Sequence, residues 1–256
     1  MKRLNRLKNY LFLLRTKIIL TNSIEKIKVE VLKSWDHLNY LITLSKKSWV
    51  RLSCLITIIG GTFFILTTII AMFFYPGSYN FATNFFSDLG MTSSSTNHEP
   101  NPISSVLFLL ACTVVGASLI PFWIVMTRLF SEVHITKYIS YLGSIAGLIS
   151  SVLLMGVGIF PMDTAILAHF ISAGAFFISL SIAIIIYSIA IFLDKNYRKI
   201  YGFIGIGFSL FIILYLCRVF FLIDPLAQKI VVYGYITWAV FQLSKIWKLK
   251  NKINRI

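Results

Sequence analysis

Long apolar blocks alternate with shorter polar connections along the chain. Six of these blocks are long enough, and poor enough in charge, to cross about 30 Å of hydrocarbon as helices. The pattern predicts an all-α, polytopic integral membrane six-helix bundle with spans at about residues 53–75, 103–126, 138–160, 165–193, 201–223 and 225–246. The fourth block is the longest, so we expect that helix to tilt or to extend past the bilayer.

The periodicity changes in the first 50 residues, where two apolar stripes recur at helical spacing and charges fill the other face. The stripes comprise Leu4, Leu7, Leu11, Leu14 and Ile18, then Ile24, Ile27, Val31, Trp35, Leu38 and Ile42. This pattern is typical of basic amphipathic helices on the cytoplasmic membrane surface. A docking segment for a partner protein is the competing interpretation. We therefore predict a basic amphipathic segment at 1–50, a membrane domain at 51–246 and a basic cytoplasmic tail at 247–256.

Composition and charge placement agree with a membrane protein. The chain is 57% hydrophobic and 13% charged, whereas a soluble protein carries about twice that charged fraction. Of its 24 Lys and Arg residues, 22 lie in 1–51, 127–137, 194–200 and 244–256, and none lies in 76–102 or 161–164. Because positive charge is retained in the cytoplasm, we predict a multi-pass protein of the cell membrane with both termini cytoplasmic. The net charge of +15 arises mostly from these four basic segments at the membrane surface, which favours membrane lipid over nucleic acid as a partner.

The ionisable residues at membrane depth all fall in the outer half of the predicted bundle. They are Asp88, Asp163, His169, Arg218, Asp224 and Lys229. Arg218 falls inside the predicted fifth span, about 8 Å from its outer end. Charge within a membrane is costly and usually faces the bundle interior with a partner. The outer ends are therefore predicted to surround a polar pocket open to the outer leaflet.

Three predicted helix N-termini also face outward in this region. Asn101 and Asp224 each precede a proline at a predicted helix start, and Asp163 precedes the fourth span. Helix N-termini attract anions. Arg218, Lys229, Asn101 and Asp224 are therefore candidates for binding an anionic head group. The structural alternative is that the carboxylates only cap helices and Arg218 only forms an ion pair.

Four residues of this region are candidates for catalysis. Ser87 is a possible nucleophile, with Asp88, Asp163 and His169 as acid, base or orienting groups. The same three, together with His98, are alternatively the ligands of a divalent metal ion. Neither arrangement has diagnostic spacing, since the chain contains no H-E-x-x-H motif. The structural alternative makes His169 a hydrogen-bonded core residue and Asp88 a turn-forming residue.

The third span carries Gly143, Gly147 and Ser151 at four-residue intervals. Small residues at this spacing allow two helices to approach closely. We expect this stripe to pack within the bundle, with homodimerisation as the alternative.

Three short motifs carry a family resemblance. Ser87-Asp88-Leu89-Gly90 follows the first span, Gly156-Val-Gly-Ile-Phe-Pro-Met-Asp163 with His169 joins the third and fourth, and Ala227-Gln228-Lys229 begins the sixth, which contains Trp238. Over roughly residues 52–246 the chain resembles the six-span prokaryotic family called domain of unknown function 998. It is more distantly similar to the Frag/DRAM/Sfk membrane proteins. The resemblance implies a helical bundle with an outer-face Asp, Asp and His, here Asp88, Asp163 and His169. Links of the eukaryotic relatives to lipid remodelling imply a lipid head group as ligand.

Three functions follow as hypotheses. The first is an outer-leaflet pocket that binds a lipid or anionic head group in a non-catalytic scaffold or accessory subunit of a membrane assembly. The second is a membrane-embedded lipid hydrolase or transferase that uses Asp88, Asp163 and His169. The third is a small-molecule transporter, for which Gly116 and Pro121 in the second span are the only hint of a broken helix.

Overall fold

The computed structural model describes residues 48–130, 134–195 and 197–253, together with residues 25, 28, 30 and 32–34, which are helical. The two amphipathic stripes predicted before residue 43 lie outside the described residues, as does the end of the basic tail at 254–256. The chain divides into two compact units, Met1–Trp49 and Val50–Ile256. The cavities and contacts described below belong to the second unit.

The described residues of 48–130, 134–195 and 197–253 form six α-helices, which confirms an all-α fold for the described part of the chain. The helices are α1 Ser48–Phe73, α2 Pro102–Met126, α3 His134–Ile159, α4 Ile166–Leu193, α5 Ile200–Leu216 and α6 Asp224–Ile253. Short 3-10 helices occupy Phe86–Gly90, Thr127–Phe130 and Phe221–Ile223. The helix α2 continues without interruption through Gly116 and Pro121.

Among the described residues, four helices are long and apolar enough to cross a membrane: α1, α2 with its extension to Phe130, α3 and α4. The helix α5 is a shorter apolar helix of 17 residues. Many large apolar side chains are exposed on these helices, including Phe73, Leu142 and Leu167. Such outward apolar faces suit a lipid environment, and the chain is a multi-pass membrane protein.

The end of α5 differs from the sequence-based prediction. The predicted fifth span reached residue 223, but the helix ends at Leu216 and Arg218 lies in the following turn. Arg218 adopts the left-handed conformation, with φ 55°. The amide of Val219 donates to the Leu214 carbonyl at 3.1 Å, and that of Arg218 donates to the Tyr215 carbonyl at 2.9 Å. This pattern closes a helix C-terminus. Hydropathy misses the ending because residues 219–223 are all apolar.

Close helix packing depends on the small residues of α3, which lies against α2 and α4. A Cβ added at Gly147 would lie 2.1 Å from the Trp123 ring, and one at Gly143 would lie 2.9 Å from the Tyr187 ring. The stripe of small residues therefore packs within the bundle, in agreement with the intramolecular interpretation.

Three connections meet at one end of the bundle, which we call the loop end: residues 74–101, 160–165 and 217–223. The first of them folds back on itself. The Ser94 hydroxyl donates to the Pro76 carbonyl at 2.7 Å, and the hydroxyls of Tyr75 and Ser95 are 2.9 Å apart. The starts of α2, α4 and α6 also lie at the loop end, so it gathers most of the candidate site residues.

Candidate functional site

A central cavity of about 200 Å³ lies between α1, α2, α3, α4 and α6. Apolar side chains form most of its wall, among them Phe64, Leu119, Leu154, Phe176 and Val231. At the loop end the wall is polar and consists of Ser87, His169 and Gln228, which we call the polar wall.

A second cavity of about 380 Å³ lies beside the first, between α4, the end of α5 and the start of α6. Arg218, Asp224 and Tyr215 are among the residues that line this lateral cavity. The polar wall, together with Ala173 and Phe177, lines both cavities. These five side chains therefore form the boundary between the central cavity and the lateral cavity.

The polar wall is held by contacts between the loop and two helices. Ser87 lies in the 3-10 helix Phe86–Gly90, and the Phe86 amide donates to Oε1 of Gln228 at 2.7 Å. The Ser87 hydroxyl lies 3.9 Å from the sulfur of Met162. The backbone contact fixes the position of the 3-10 helix against the start of α6, which places Ser87 in the wall.

His169 lies in the first turn of α4 and is buried. Its Nδ1 is 2.7 Å from the carbonyl oxygen of Phe160. Because a carbonyl only accepts, Nδ1 carries the proton, and in the neutral ring Nε2 is then an acceptor. A hydrogen bond of this kind also fixes the orientation of the imidazole, as the orienting group of a catalytic histidine does.

The Asp88 carboxylate accepts its hydrogen bonds from groups of the first loop and not from His169. Its Oδ2 accepts hydrogen bonds from Nδ2 of Asn84 and from the amide of Phe85, both at 3.0 Å. The second bond caps the 3-10 helix that carries Ser87. Asp88 therefore takes the turn-forming role that the sequence left open.

Asp163 connects the turn between α3 and α4 to the first loop. Its Oδ2 accepts from the amide and hydroxyl of Thr92, at 2.8 and 2.6 Å, and from the amide of Ser93 at 3.0 Å. Partial burial alone would raise the pKa of Asp163, but these hydrogen bonds outweigh it and lower that pKa below its usual value. The predicted capping of α4 by Asp163 is wrong, since α4 begins at Ile166 without a side-chain cap. The loop amides bind the carboxylate instead.

Metal ligands do not gather among the described residues: no group of three or more His, Cys, Asp and Glu side chains is placed to hold a metal ion. His98 lies in the first loop with φ 60° and is exposed. The hydrogen bonds of Asp88 and Asp163 go to loop groups. The structure thus brings Ser87 and His169 to one wall, whereas Asp88 lies in the first loop and Asp163 in the connection between α3 and α4, both bound to groups of the first loop.

Lys229 is almost completely buried near the start of α6, with 1% of its surface exposed. Its ammonium donates to the carbonyl of Asn84 and, at 3.2 Å, to that of Pro225. Three aromatic rings lie 5.0–5.5 Å from the nitrogen: Tyr79, Phe81 and Phe86. Rings at this distance attract a cation. In this structure Lys229 therefore fastens the first loop to α6.

The side chains of Asn101 and Asp224, each of which precedes a proline at a helix start, also bind groups other than helix amides. Asn101 precedes α2 as predicted, but its side chain makes no cap bond. Its Nδ2 donates to the carbonyls of Leu89 and Met91, at 3.2 and 3.0 Å, because the loop folds against it. Asp224 is the first residue of α6, and its Oδ2 lies 2.8 Å from Nη2 of Arg218. This ion pair was the structural alternative for Arg218.

Arg218 differs from the other head-group candidates in its exposure. Its side chain is 73% exposed, whereas that of Asp224 is 7% exposed. Asn101 and Lys229 are buried. Among these four residues, only Arg218 offers its polar group to a ligand arriving from outside the bundle.

Sequence reasoning did not assign a role to Gln228, although it lies in the polar wall. The available signal was a neutral polar residue next to Lys229 at the start of an apolar block. It also missed the buried ring of Tyr235 in the cavity wall. An isolated tyrosine within a span gives no pattern from which its neighbours can be deduced.

Comparison with known families adds one result. The sequence model of the family described as "Protein of unknown function (DUF998)" matches residues 58–244. The chain belongs to this family. No curated protein and no solved structure matches the chain significantly. The matched region includes the whole polar wall, and it excludes the basic N-terminal segment and the end of the tail.

Proposed function

We propose that this protein binds a membrane lipid, with an apolar chain in the central cavity and an anionic head group at Arg218. It would act as a non-catalytic scaffold or accessory subunit of a membrane assembly. The observation that carries the proposal is the pair of cavities, one apolar and one opening beside an exposed guanidinium, that share the polar wall.

The proposal includes six spans with both termini cytoplasmic. At about 1.5 Å per residue, the 17 residues of α5 extend about 25 Å, near the lower limit for crossing the hydrocarbon layer. The helix α6 is longer, with 30 residues. The loop end has no Lys or Arg in residues 76–102 and 161–164, whereas the opposite connections are basic. The positive-inside bias then makes the loop end the outer end.

The size and wall chemistry of the central cavity suit a hydrocarbon segment. An apolar cavity of about 150 Å³ in a protein core binds benzene and stays free of water. The central cavity, at about 200 Å³, is somewhat larger. It would hold part of an acyl chain, and the remainder would extend past the polar wall into the lateral cavity.

The lateral cavity offers a place for the polar part of the lipid. Its volume is about 380 Å³, and Arg218 is among the residues that line it. A guanidinium binds phosphate with two parallel hydrogen bonds. Since Arg218 uses one nitrogen for Asp224, a phosphate can be bound by its other donors.

Lipid occupancy is tested with nanodiscs of phosphatidylethanolamine and phosphatidylglycerol that contain spin-labelled phosphatidylglycerol. We expect a motionally restricted spectral component from lipid held by the protein. Ala173→Phe fills the junction of the two cavities and should reduce this component at least about fivefold, because the phenyl ring would block the passage of the lipid acyl chain between them. The matched control is Gly207→Phe on the outer face of α5, where an added Cβ meets nothing within 4 Å.

The head-group assignment is tested separately with Arg218→Gln. We expect the restricted component from phosphatidylglycerol to fall while that from a spin-labelled neutral diacylglycerol is unchanged. An equal restricted component in the Ala173→Phe and Gly207→Phe proteins would contradict cavity occupancy. An unchanged preference for the anionic lipid in Arg218→Gln would contradict only the head-group site.

A lipid hydrolase or transferase is the second candidate, and the orientation of His169 favours it. The Phe160 carbonyl holds Nδ1 of His169, which leaves Nε2 as a possible base in the same wall as the Ser87 hydroxyl. A fluorophosphonate lipid analogue should then label Ser87, and His169→Gln should suppress the labelling. Labelling that persists in Ser87→Ala would overturn this candidate.

The scaffold role predicts a partner for residues 1–50. Co-purification of a membrane protein with the full chain, lost when residues 1–40 are deleted, would support it. A deletion that leaves every co-purifying protein in place would contradict it.

A further inference from the structure

Three aromatic side chains form a compact triangle in the bundle: Trp123 of α2 with Tyr235 and Trp238 of α6. Their ring centroids are 6.0 Å apart for the two tryptophans and 6.5 Å apart for each tryptophan with Tyr235. Each ring is at most 4% exposed. Within the described part of the chain, Nε1 of Trp238 is buried without a hydrogen-bond partner, and Nε1 of Trp123 and the Tyr235 hydroxyl have no partner other than each other.

The three side chains of the triangle cannot satisfy all their hydrogen-bond donors by bonding to one another. An indole nitrogen only donates, and a phenol hydroxyl donates one hydrogen bond and accepts through its oxygen. The set therefore has three donors and one accepting atom. Even if both indoles donated to the oxygen of Tyr235, its own O–H would still need an acceptor. Because leaving a buried donor without a partner is unfavourable, an acceptor from outside the triangle is expected.

The central cavity is where such an acceptor can enter, because Tyr235 lies in its wall. Tyr235 follows Asp224 by 11 residues, which places it about 16 Å along α6 and away from the polar wall. The residues that line the cavity around it are apolar, among them Leu180, Ile236 and Ala239. With no charged side chain in the cavity lining, the site suits an uncharged acceptor.

We propose that the cavity binds an apolar chain that carries an uncharged oxygen, such as a ketone, ester or ether, and that the Tyr235 hydroxyl donates to this oxygen. The inference rests on the proposed occupancy of the cavity and specifies the chemistry of the occupant. Trp123 and Trp238 pack against Tyr235 and hold its ring in the cavity wall, although neither of them lines the cavity itself.

The test compares two probes of equal length, octan-2-one and octane, added to the purified full chain in detergent. Binding is followed by the fluorescence of the buried tryptophans, and the carbonyl stretch of ¹³C-labelled octan-2-one is recorded by infrared difference spectroscopy. If the Tyr235 hydroxyl donates one hydrogen bond to the ketone, the ketone should bind about tenfold more tightly than octane, equivalent to about 1.4 kcal/mol. The carbonyl stretch of the bound ketone should move to lower frequency.

Tyr235→Phe removes only the hydroxyl, so we expect it to bind octane as before and to lose both the preference and the frequency shift. Tyr233→Phe is the matched control, because it removes a hydroxyl from the same helix outside the cavity lining. Trp238→Phe is a second variant and should weaken the preference.

The outcomes separate this inference from the proposed function. Equal binding of the two probes to the unmodified protein would show that the cavity accepts a chain while water or nothing partners Tyr235, and would overturn the inference alone. A preference that survives in Tyr235→Phe would also overturn it. Binding of neither probe would refute the occupancy of the cavity itself.

Discussion

Replacing Gly147 with alanine should disturb the contact between α2 and α3. The added Cβ would lie 2.1 Å from Cδ2 of Trp123, whereas carbon atoms in contact are about 3.5–4.0 Å apart. The indole or the helix must therefore move by about 1.5 Å. Trp123 is completely buried and is stacked on Tyr187 and Tyr235, so its displacement would disturb the neighbouring rings as well.

The expected free-energy change follows from two opposing effects. Overpacking a core costs about 1–3 kcal/mol, and replacing a helical glycine with alanine recovers up to about 1 kcal/mol. We therefore expect Gly147→Ala to lower the free energy of unfolding by up to about 2 kcal/mol, and to be about 1–3 kcal/mol less stable than a glycine-to-alanine variant that has no steric conflict. The matched control is Gly174→Ala in α4, where an added Cβ meets nothing within 4 Å, and its stability should be unchanged or slightly higher.

Unfolding of both variants in one detergent, followed by tryptophan fluorescence and near-ultraviolet circular dichroism, measures this difference. We expect Gly147→Ala to unfold at lower denaturant and to show an altered tryptophan spectrum when folded. Equal stability of the two variants, with unchanged folded spectra, would refute the close packing of α3 on Trp123.

Three further predictions concern the loop end. Arg218→Gly should be about 1 kcal/mol more stable to unfolding than Arg218→Ala, because both lose the ion pair with Asp224 but only glycine adopts the left-handed turn at no cost; equal stability would contradict the turn. The pKa of Asp163 is lower in the folded protein, so its contribution to stability is present above the carboxyl pKa of the unfolded chain and is lost as the pH falls through the folded pKa. Hydrogen exchange at the Thr92 amide, corrected for intrinsic rates, should therefore increase below that pH, and Asp163→Asn should abolish the pH dependence. Lys229→Met should accelerate proteolysis within residues 76–86, because the Asn84 carbonyl loses its donor; unchanged cleavage would show that Lys229 does not hold the loop.

The sequence predicted where most of the candidate site residues lie, but not which groups their side chains bind. The cost of charge in a membrane placed Asp88, Asp163, His169 and Arg218 at one end of the bundle, and the structure has them at the loop end. Which group each side chain binds depends on the path of residues 74–101 across the helix ends. That path brings the amide of Thr92 to Asp163, although 71 positions separate the two residues.

The sequence by itself determined the helical class and the membrane location, because apolar blocks of this length admit few alternatives in which every backbone group is satisfied. It also set the helix boundaries closely where a polar or proline residue precedes the apolar block, as at Pro102, the first residue of α2. The tertiary structure alone decided the end of α5, the burial of Lys229 and the meeting of Trp123 with Tyr235 and Trp238. The burial of Lys229 and the ring contacts depend on segments far apart in the chain, about which periodicity within one segment carries no information. The end of α5 depends on the left-handed turn at Arg218, which hydropathy does not register.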